Sequence, residues 1–94
     1  MNFFGLFSWN RRVRKLRKRW DRLREHALKK KGPLRSRLLQ RLDAISSNLT
    51  TMEEQRLSRV DRARISKDVE ISLEEVKELM KYKEGEEVAS QQAQ

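Results

Sequence analysis

The side chains most able to do chemistry in this sequence are cations. Fifteen of the 23 Lys and Arg residues fall in the first 42 positions against two acids, which gives that part a formal charge of +13. Residues 43 to 94 carry −4, which completes the net charge of +9. A block of this sign and density concentrates polyanions, whether nucleic acid, an anionic lipid surface or an acidic protein face. The candidate polyanion-binding residues are Arg11, Arg12, Arg14, Lys15, Arg17, Lys18, Arg19, Arg22 and Arg24.

The residue sets that catalysis or metal binding would need are absent from the sequence. There is no Cys, and the single His, His26, has no second His or Cys with which to hold a metal. Three Gly residues are too few for a phosphate-cradling loop or a dinucleotide fingerprint. Glu74, Glu75 and Glu78 are predicted to form the solvated face of an amphipathic helix. We therefore expect no enzyme, no catalytic residue, no metal site and no cofactor.

An apolar stripe runs through the basic segment with a spacing of three or four residues, which is typical of one face of a helix. No Gly or Pro interrupts residues 10 to 31, so we predict a basic amphipathic helix there. The pair Gly32-Pro33 predicts a tight connection to a second helix. The stripe consists of Leu6, Trp9, Val13, Leu16, Trp20, Leu23 and Ala27.

A second apolar stripe follows this connection with the same periodicity. Two such stripes on either side of a short turn predict an antiparallel helical hairpin, in which each helix covers the apolar face of the other. We therefore predict an all-α fold with coiled-coil-like helix pairing. The predicted pairing residues are Val13, Leu16, Leu23, Leu38, Leu42, Ile45, Leu49 and Met52.

The remaining boundaries are less regular. We predict a second helical region over 32–67, with 47–51 as a candidate break and one continuous helix as the open alternative. Thr51 with Glu54, and Ser72 with Glu75, have the spacing of helix capping boxes. We predict a linker over 68–71, a short acidic helix over 72–84, and a disordered tail over 85–94, which has no apolar stripe to bury.

The segment 1–9 is apolar and aromatic, but no run approaches the roughly 20 apolar residues that a membrane span needs. Its charges follow the apolar stretch, which is the reverse of a secretory signal, and a mitochondrial presequence over 1–20 is the less favoured alternative. We expect an intracellular protein, peripheral to a membrane, neither secreted nor transmembrane. The predicted membrane-docking or partner-docking residues are Phe3, Phe4, Leu6, Phe7, Trp9 and Trp20.

Three non-enzymatic functions are compatible with an aromatic segment followed by a basic helix. The leading hypothesis is docking on an anionic membrane surface by the aromatic segment and the basic helix, while other helices pair with protein partners. The runner-up is binding of nucleic acid without sequence preference. The third is a subunit of a larger complex or a self-associating protein with no membrane contact. The aromatic residues before Ser8 favour the membrane, because a nucleic-acid binder gains nothing from them. For Val13 to Leu23 a simple hairpin core is the favoured interpretation.

Overall fold

The computed structural model describes the backbone of residues 3 to 81 and the side chains of residues 8 to 81. Within that range three helices follow one another: α1 (Phe3–Leu28), α2 (Gly32–Glu54) and α3 (Arg59–Met80). The connections are short, so successive helices run antiparallel, and α1 lies parallel to α3. The predicted all-α fold is confirmed. Each helix packs against both others, which makes the described part a three-helix bundle instead of a hairpin alone.

The core is formed by one apolar stripe from each helix. Burying a side chain of this size contributes about 1.5–3 kcal/mol relative to leaving it exposed, so these stripes hold the bundle together. All the residues predicted to pair the helices belong to this core, with Leu23 partly buried against its edge. The buried set is Trp9, Val13, Leu16, Ala27, Leu34, Leu38, Leu42, Ile45, Leu49, Met52, Val69, Leu73 and Val76.

The turn between α1 and α2 forms at the predicted Gly-Pro pair. The last turn of α1 closes with N–H groups of Lys29 and Lys30 donating to carbonyls one turn earlier, each at 3.1 Å. Gly32 has a φ of 66°, a conformation that glycine adopts without the steric penalty of a side chain. Pro33 then occupies the first turn of α2, where its missing N–H leaves no bond unmade.

The candidate break at 47–51 does not occur, because α2 continues to Glu54. Ser47 and Thr51 are weak helix formers, but each hydroxyl donates to the carbonyl four residues earlier, at 3.4 and 3.2 Å. Leu49 and Met52 are 0% and 2% exposed on the same stretch. The burial of this face outweighs the small propensity penalty of the hydroxyl residues.

The actual break lies at residues 55–58, which corrects two predicted boundaries. The helical region does not run to 67, and α3 begins at Arg59 instead of residue 72, which makes it 22 residues long and not a short helix. Ser58 is its N-cap, because its hydroxyl accepts the Asp61 N–H at 3.2 Å. Ser72 is therefore inside α3 and caps nothing.

The linker predicted over 68–71 is helical for an identifiable reason. Val69 and Ile71 alternate like strand residues, but Val69 is 0% exposed on the helix stripe whereas Ile71 is 48% exposed on the outside. The stripe of α3 also contains polar Arg62 and Ser66, which hid its period. The last predicted helical residues, 82–84, and the predicted tail, 85–94, lie outside the described residues.

The two serines at the predicted and observed starts of α3 offer a matched test of this boundary. Ser58→Ala should lower the free energy of unfolding by about 1 kcal/mol, because it removes the side-chain acceptor for the first turn. Ser72→Ala should leave it unchanged or raise it slightly, because alanine has the higher propensity inside a helix. Urea unfolding followed by circular dichroism measures both, and the opposite ranking would contradict a helix that starts at Arg59.

Candidate anion-docking surface

Of the two tryptophans predicted to dock on a partner, Trp9 is a core residue and Trp20 packs against the edge of the core. Trp9 is 9% exposed, and the guanidinium carbon of Arg62 lies 5.2 Å from the centre of its ring. Trp20 is partly buried, and its indole N–H donates to the Leu42 carbonyl at 2.7 Å. Trp9 is therefore used in helix packing, whereas Trp20 is fixed against α2 and keeps part of its surface exposed.

The other predicted docking residues precede Ser8. The side chains of Phe3, Phe4, Leu6 and Phe7 lie outside the described residues, although their backbone belongs to α1. The Trp20–Leu42 contact sets the register of α1 against α2, and counting back along both helices brings Glu54, the last residue of α2, opposite Ser8. The backbone of α1 therefore continues past the end of α2 by about 7 Å, at 1.5 Å per residue.

Arg17 is the cation most tightly held by the rest of the fold. Its guanidinium donates to both carboxylate oxygens of Glu53, at 3.0 and 2.8 Å, and to the hydroxyls of Ser46 and Thr50, at 3.2 and 3.5 Å. A fork on a carboxylate is the strongest geometry available to this pair. Arg17 thus belongs to the α1–α2 seam, and its guanidinium carbon also lies 5.2 Å from the Trp20 ring centre.

This pair has the expected effect on protonation. The hydrogen bond with Glu53 raises the pKa of Arg17, against an opposing effect of partial burial, and the charge of Glu53 adds to the rise. The same hydrogen bond lowers the pKa of Glu53. Both groups therefore stay charged in the folded protein, and Arg17, predicted to bind a polyanion, is already occupied.

Arg19, a second residue predicted to bind a polyanion, also forms an ion pair within the bundle. Arg19 on α1 contacts Glu74 on α3 at 3.1 Å, and Arg41 on α2 contacts Glu75 at 3.5 Å. These acids were predicted to form only a solvated face. The sequence carried no local signal for such pairs, because Arg17 and Glu53 are 36 positions apart and Arg19 and Glu74 are 55 apart.

Four of the remaining predicted cations form what we call the cationic ridge: Arg11, Arg14, Lys15 and Lys18. All four are exposed, and they line one shallow depression of about 280 Å³ with no acidic neighbour in its wall. None of them forms an ion pair with any residue of the described part. Arg12, Arg22 and Arg24 are also exposed. Arg12 lines a second depression together with Glu70 and with Arg11 and Lys15 of the ridge, and the guanidinium carbon of Arg24 lies 6.0 Å from the Trp20 ring centre.

Repulsion among the four cations of the ridge is unfavourable for the isolated helix. Its members are three or four positions apart, which makes them neighbours on the helix surface, and like charges at this spacing destabilise a helix by a few tenths of a kcal/mol per pair. The first acidic residue of α1 is Asp21, beyond the end of the ridge. A bound polyanion would relieve this repulsion.

The ridge also continues a stripe that begins in the aromatic segment. The positions Phe4, Phe7, Arg11, Arg14 and Lys18 are separated by three, four, three and four residues, which places them on one face of a continuous helix. This stripe is distinct from the one through Trp9 and Val13, which is buried. The apolar periodicity of the sequence predicted only the buried stripe and did not predict this outer stripe.

Within residues 3 to 81, no group of three or more His, Asp or Glu side chains is arranged to hold a metal ion. In the same range no helix combines the length and the apolar character needed to cross a bilayer. Comparison with protein-family models, with curated proteins and with solved structures finds no match. The surface features of the bundle itself are therefore the basis for any functional proposal.

The Arg17–Glu53 pair predicts a specific acid sensitivity. Because the folded-state pKa of Glu53 is lowered, its stabilising effect is present above the ordinary value of about 4.5 and is lost as pH falls through the folded value. Glu53→Gln should cost about 0.5–1 kcal/mol of unfolding free energy at neutral pH, and this difference should shrink toward zero in acid. Glu54→Gln, one residue on and exposed, is the control, because Arg17 holds the carboxylate of Glu53 and not that of Glu54. A difference for Glu53 that stays constant with pH would contradict the pairing.

Proposed function

We propose that this protein is a non-enzymatic helical module that docks on an anionic membrane surface from outside the bilayer. One observation carries the proposal: the unpaired cationic ridge lies on the same outer face of α1 as the positions of Phe4 and Phe7, at the helix end that extends past α2. Apolar anchoring and electrostatic attraction together are the two signals that reversible membrane binding needs.

The magnitudes favour a combination of both signals. Each Lys or Arg close to an anionic leaflet contributes about 1 kcal/mol, decreasing with distance from the surface. Each large apolar side chain buried from water contributes about 1.5–3 kcal/mol before the entropy of ordering is subtracted. Neither the ridge nor the aromatic residues alone would give more than weak binding, whereas both together support a stable but reversible association.

This proposal modifies the mode of docking expected from the sequence. An isolated amphipathic helix would lie in the bilayer surface by its whole apolar stripe, but in the bundle that stripe is covered by α2 and α3. Docking therefore uses the outer face of α1 and its first turns. Protein partners for α2 and α3 form no part of the proposal.

The cationic ridge can be tested with a charge-matched control. Arg11→Gln with Arg14→Gln and Lys18→Gln should weaken binding to phosphatidylserine-containing vesicles by roughly 100-fold, at about 1 kcal/mol per charge. Lys29→Gln with Lys31→Gln and Arg35→Gln removes the same charge from exposed positions at the opposite end of the bundle, in the α1–α2 connection and the first turn of α2. Vesicle flotation measures both variants, and equal losses would mean that only net charge matters.

Substitutions in the aromatic segment distinguish membrane binding from nucleic-acid binding. Phe4→Ser with Phe7→Ser should abolish flotation with anionic vesicles, because the apolar anchor is lost while all charges remain. A polynucleotide gel shift over a salt series should be unchanged by the same substitutions, because backbone binding depends on cations. If flotation persists in this variant, the aromatic residues are not the anchor, and the proposed docking by apolar and electrostatic contacts together is wrong. Polynucleotide binding that the ridge substitutions abolish, without any flotation of the native protein, would favour the nucleic-acid alternative.

A further inference from the structure

The first turn of α3, directly after the connection from α2, carries the most exposed large apolar residue of the described part. Val60 is 65% exposed, compared with 48% for Ile71 and 39% for Leu28. It lies in the first turn of α3, between exposed Arg56 and Arg59 on one side and Arg64 on the other. An exposed apolar side chain flanked by arginines suits a surface with an apolar interior and an anionic edge.

This turn lies at the same end of the bundle as the aromatic segment. The guanidinium of Arg62 on α3 packs over the ring of Trp9 on α1, and the two helices are parallel. The residues of α1 that precede Trp9 are therefore at the level of the first turn of α3 and of the turn that leads into it. Val60 and the positions of the aromatic segment thus lie at the same end of the bundle.

The charge of the turn has the sign that an anionic surface requires. Residues 54 to 64 contain four arginines against two carboxylates, Glu54 and Asp61. Arg56, Arg59 and Arg64 form no ion pair within the described part of the chain. Glu53, the nearest other acid, is held by Arg17 on the α1–α2 seam.

We infer that Arg56, Arg59 and Val60 form a second contact with the anionic bilayer, so that the bundle stands on the membrane by this end. The inference rests on the proposed function, and it specifies which part of the surface faces the lipid. In this arrangement Val60 reaches the level of the acyl chains, while Arg56 and Arg59 contact headgroup phosphates. Ile71 is about 16 Å farther along α3, at 1.5 Å per residue, and remains in water.

The absence of cysteine makes a site-specific test direct. Val60→Cys and, as the matched control, Ile71→Cys each give one thiol for a polarity-sensitive fluorophore, at an exposed position of the same helix. On addition of vesicles of equal parts phosphatidylcholine and phosphatidylserine, the emission at position 60 should shift to the blue and increase at least about twofold, while that at position 71 stays unchanged.

The other outcomes of the labelling experiment distinguish failure of the second contact from failure of the proposed function. If the protein floats with the vesicles but the label at position 60 does not respond, the second contact does not exist and the proposed function stands. Equal responses at both positions would overturn end-on docking in favour of an α3 that lies along the surface. If neither labelled protein nor native protein floats, the proposed function fails and this inference fails with it.

A charge variant gives an independent measurement without a label. Arg56→Gln with Arg59→Gln should weaken vesicle binding roughly tenfold or more, because two cations leave the contact. Lys67→Gln with Lys77→Gln removes the same charge from exposed positions farther along α3 and should have less than a third of that effect. Circular dichroism establishes that both variants keep the native helix content, and equal weakening would overturn the inference.

Discussion

The burial of one apolar stripe of α1 between α2 and α3 is the constraint on which the rest of this structure depends. Once Val13, Leu16 and Trp20 face inward, the helix period places Arg11, Arg14 and Lys18 outward. Fold and surface chemistry are therefore set by the same packing interaction. The N–H of Trp20 bonded to the Leu42 carbonyl also fixes the register, and this register determines that the first turns of α1 extend past α2.

Long-range ion pairs then divide the cations of α1 into two groups. Arg17 and Arg19 lie on the flanks that face the neighbouring helices, where Glu53 and Glu74 neutralise them. Charge elsewhere in the bundle does little to neutralise the others: α1 has nine basic and two acidic residues, whereas α2 has three of each and α3 has five basic and six acidic. Among the three helices the excess positive charge therefore lies on α1, and further cations lie in the two connections, at residues 29–31 and at Arg56.

The sequence was a sufficient guide where a single dominant signal decided the structure. Regular apolar spacing identified the α1–α2 pair, and the Gly32-Pro33 pair identified the turn between them. The sequence was a poor guide where weak signals competed: hydroxyl residues suggested a break at 47–51 that burial of Leu49 and Met52 overrode. Arg62 and Ser66 obscured the stripe of α3 in the same way. The burial of Trp9 involves a third helix, whose length the pattern did not show.

The energetics of the core determine how such a protein can bind a surface. If α1 left the bundle to lie in a bilayer by its apolar stripe, its own side chains would remain buried, in lipid instead of protein. The facing stripes of α2 and α3, including Leu38, Leu42 and Leu73, would lose their cover, and each side chain exposed to water costs about 1.5–3 kcal/mol. A few electrostatic contacts of about 1 kcal/mol each do not offset that loss. Docking through the outer face and the end of an intact bundle avoids it, because no core residue changes its environment.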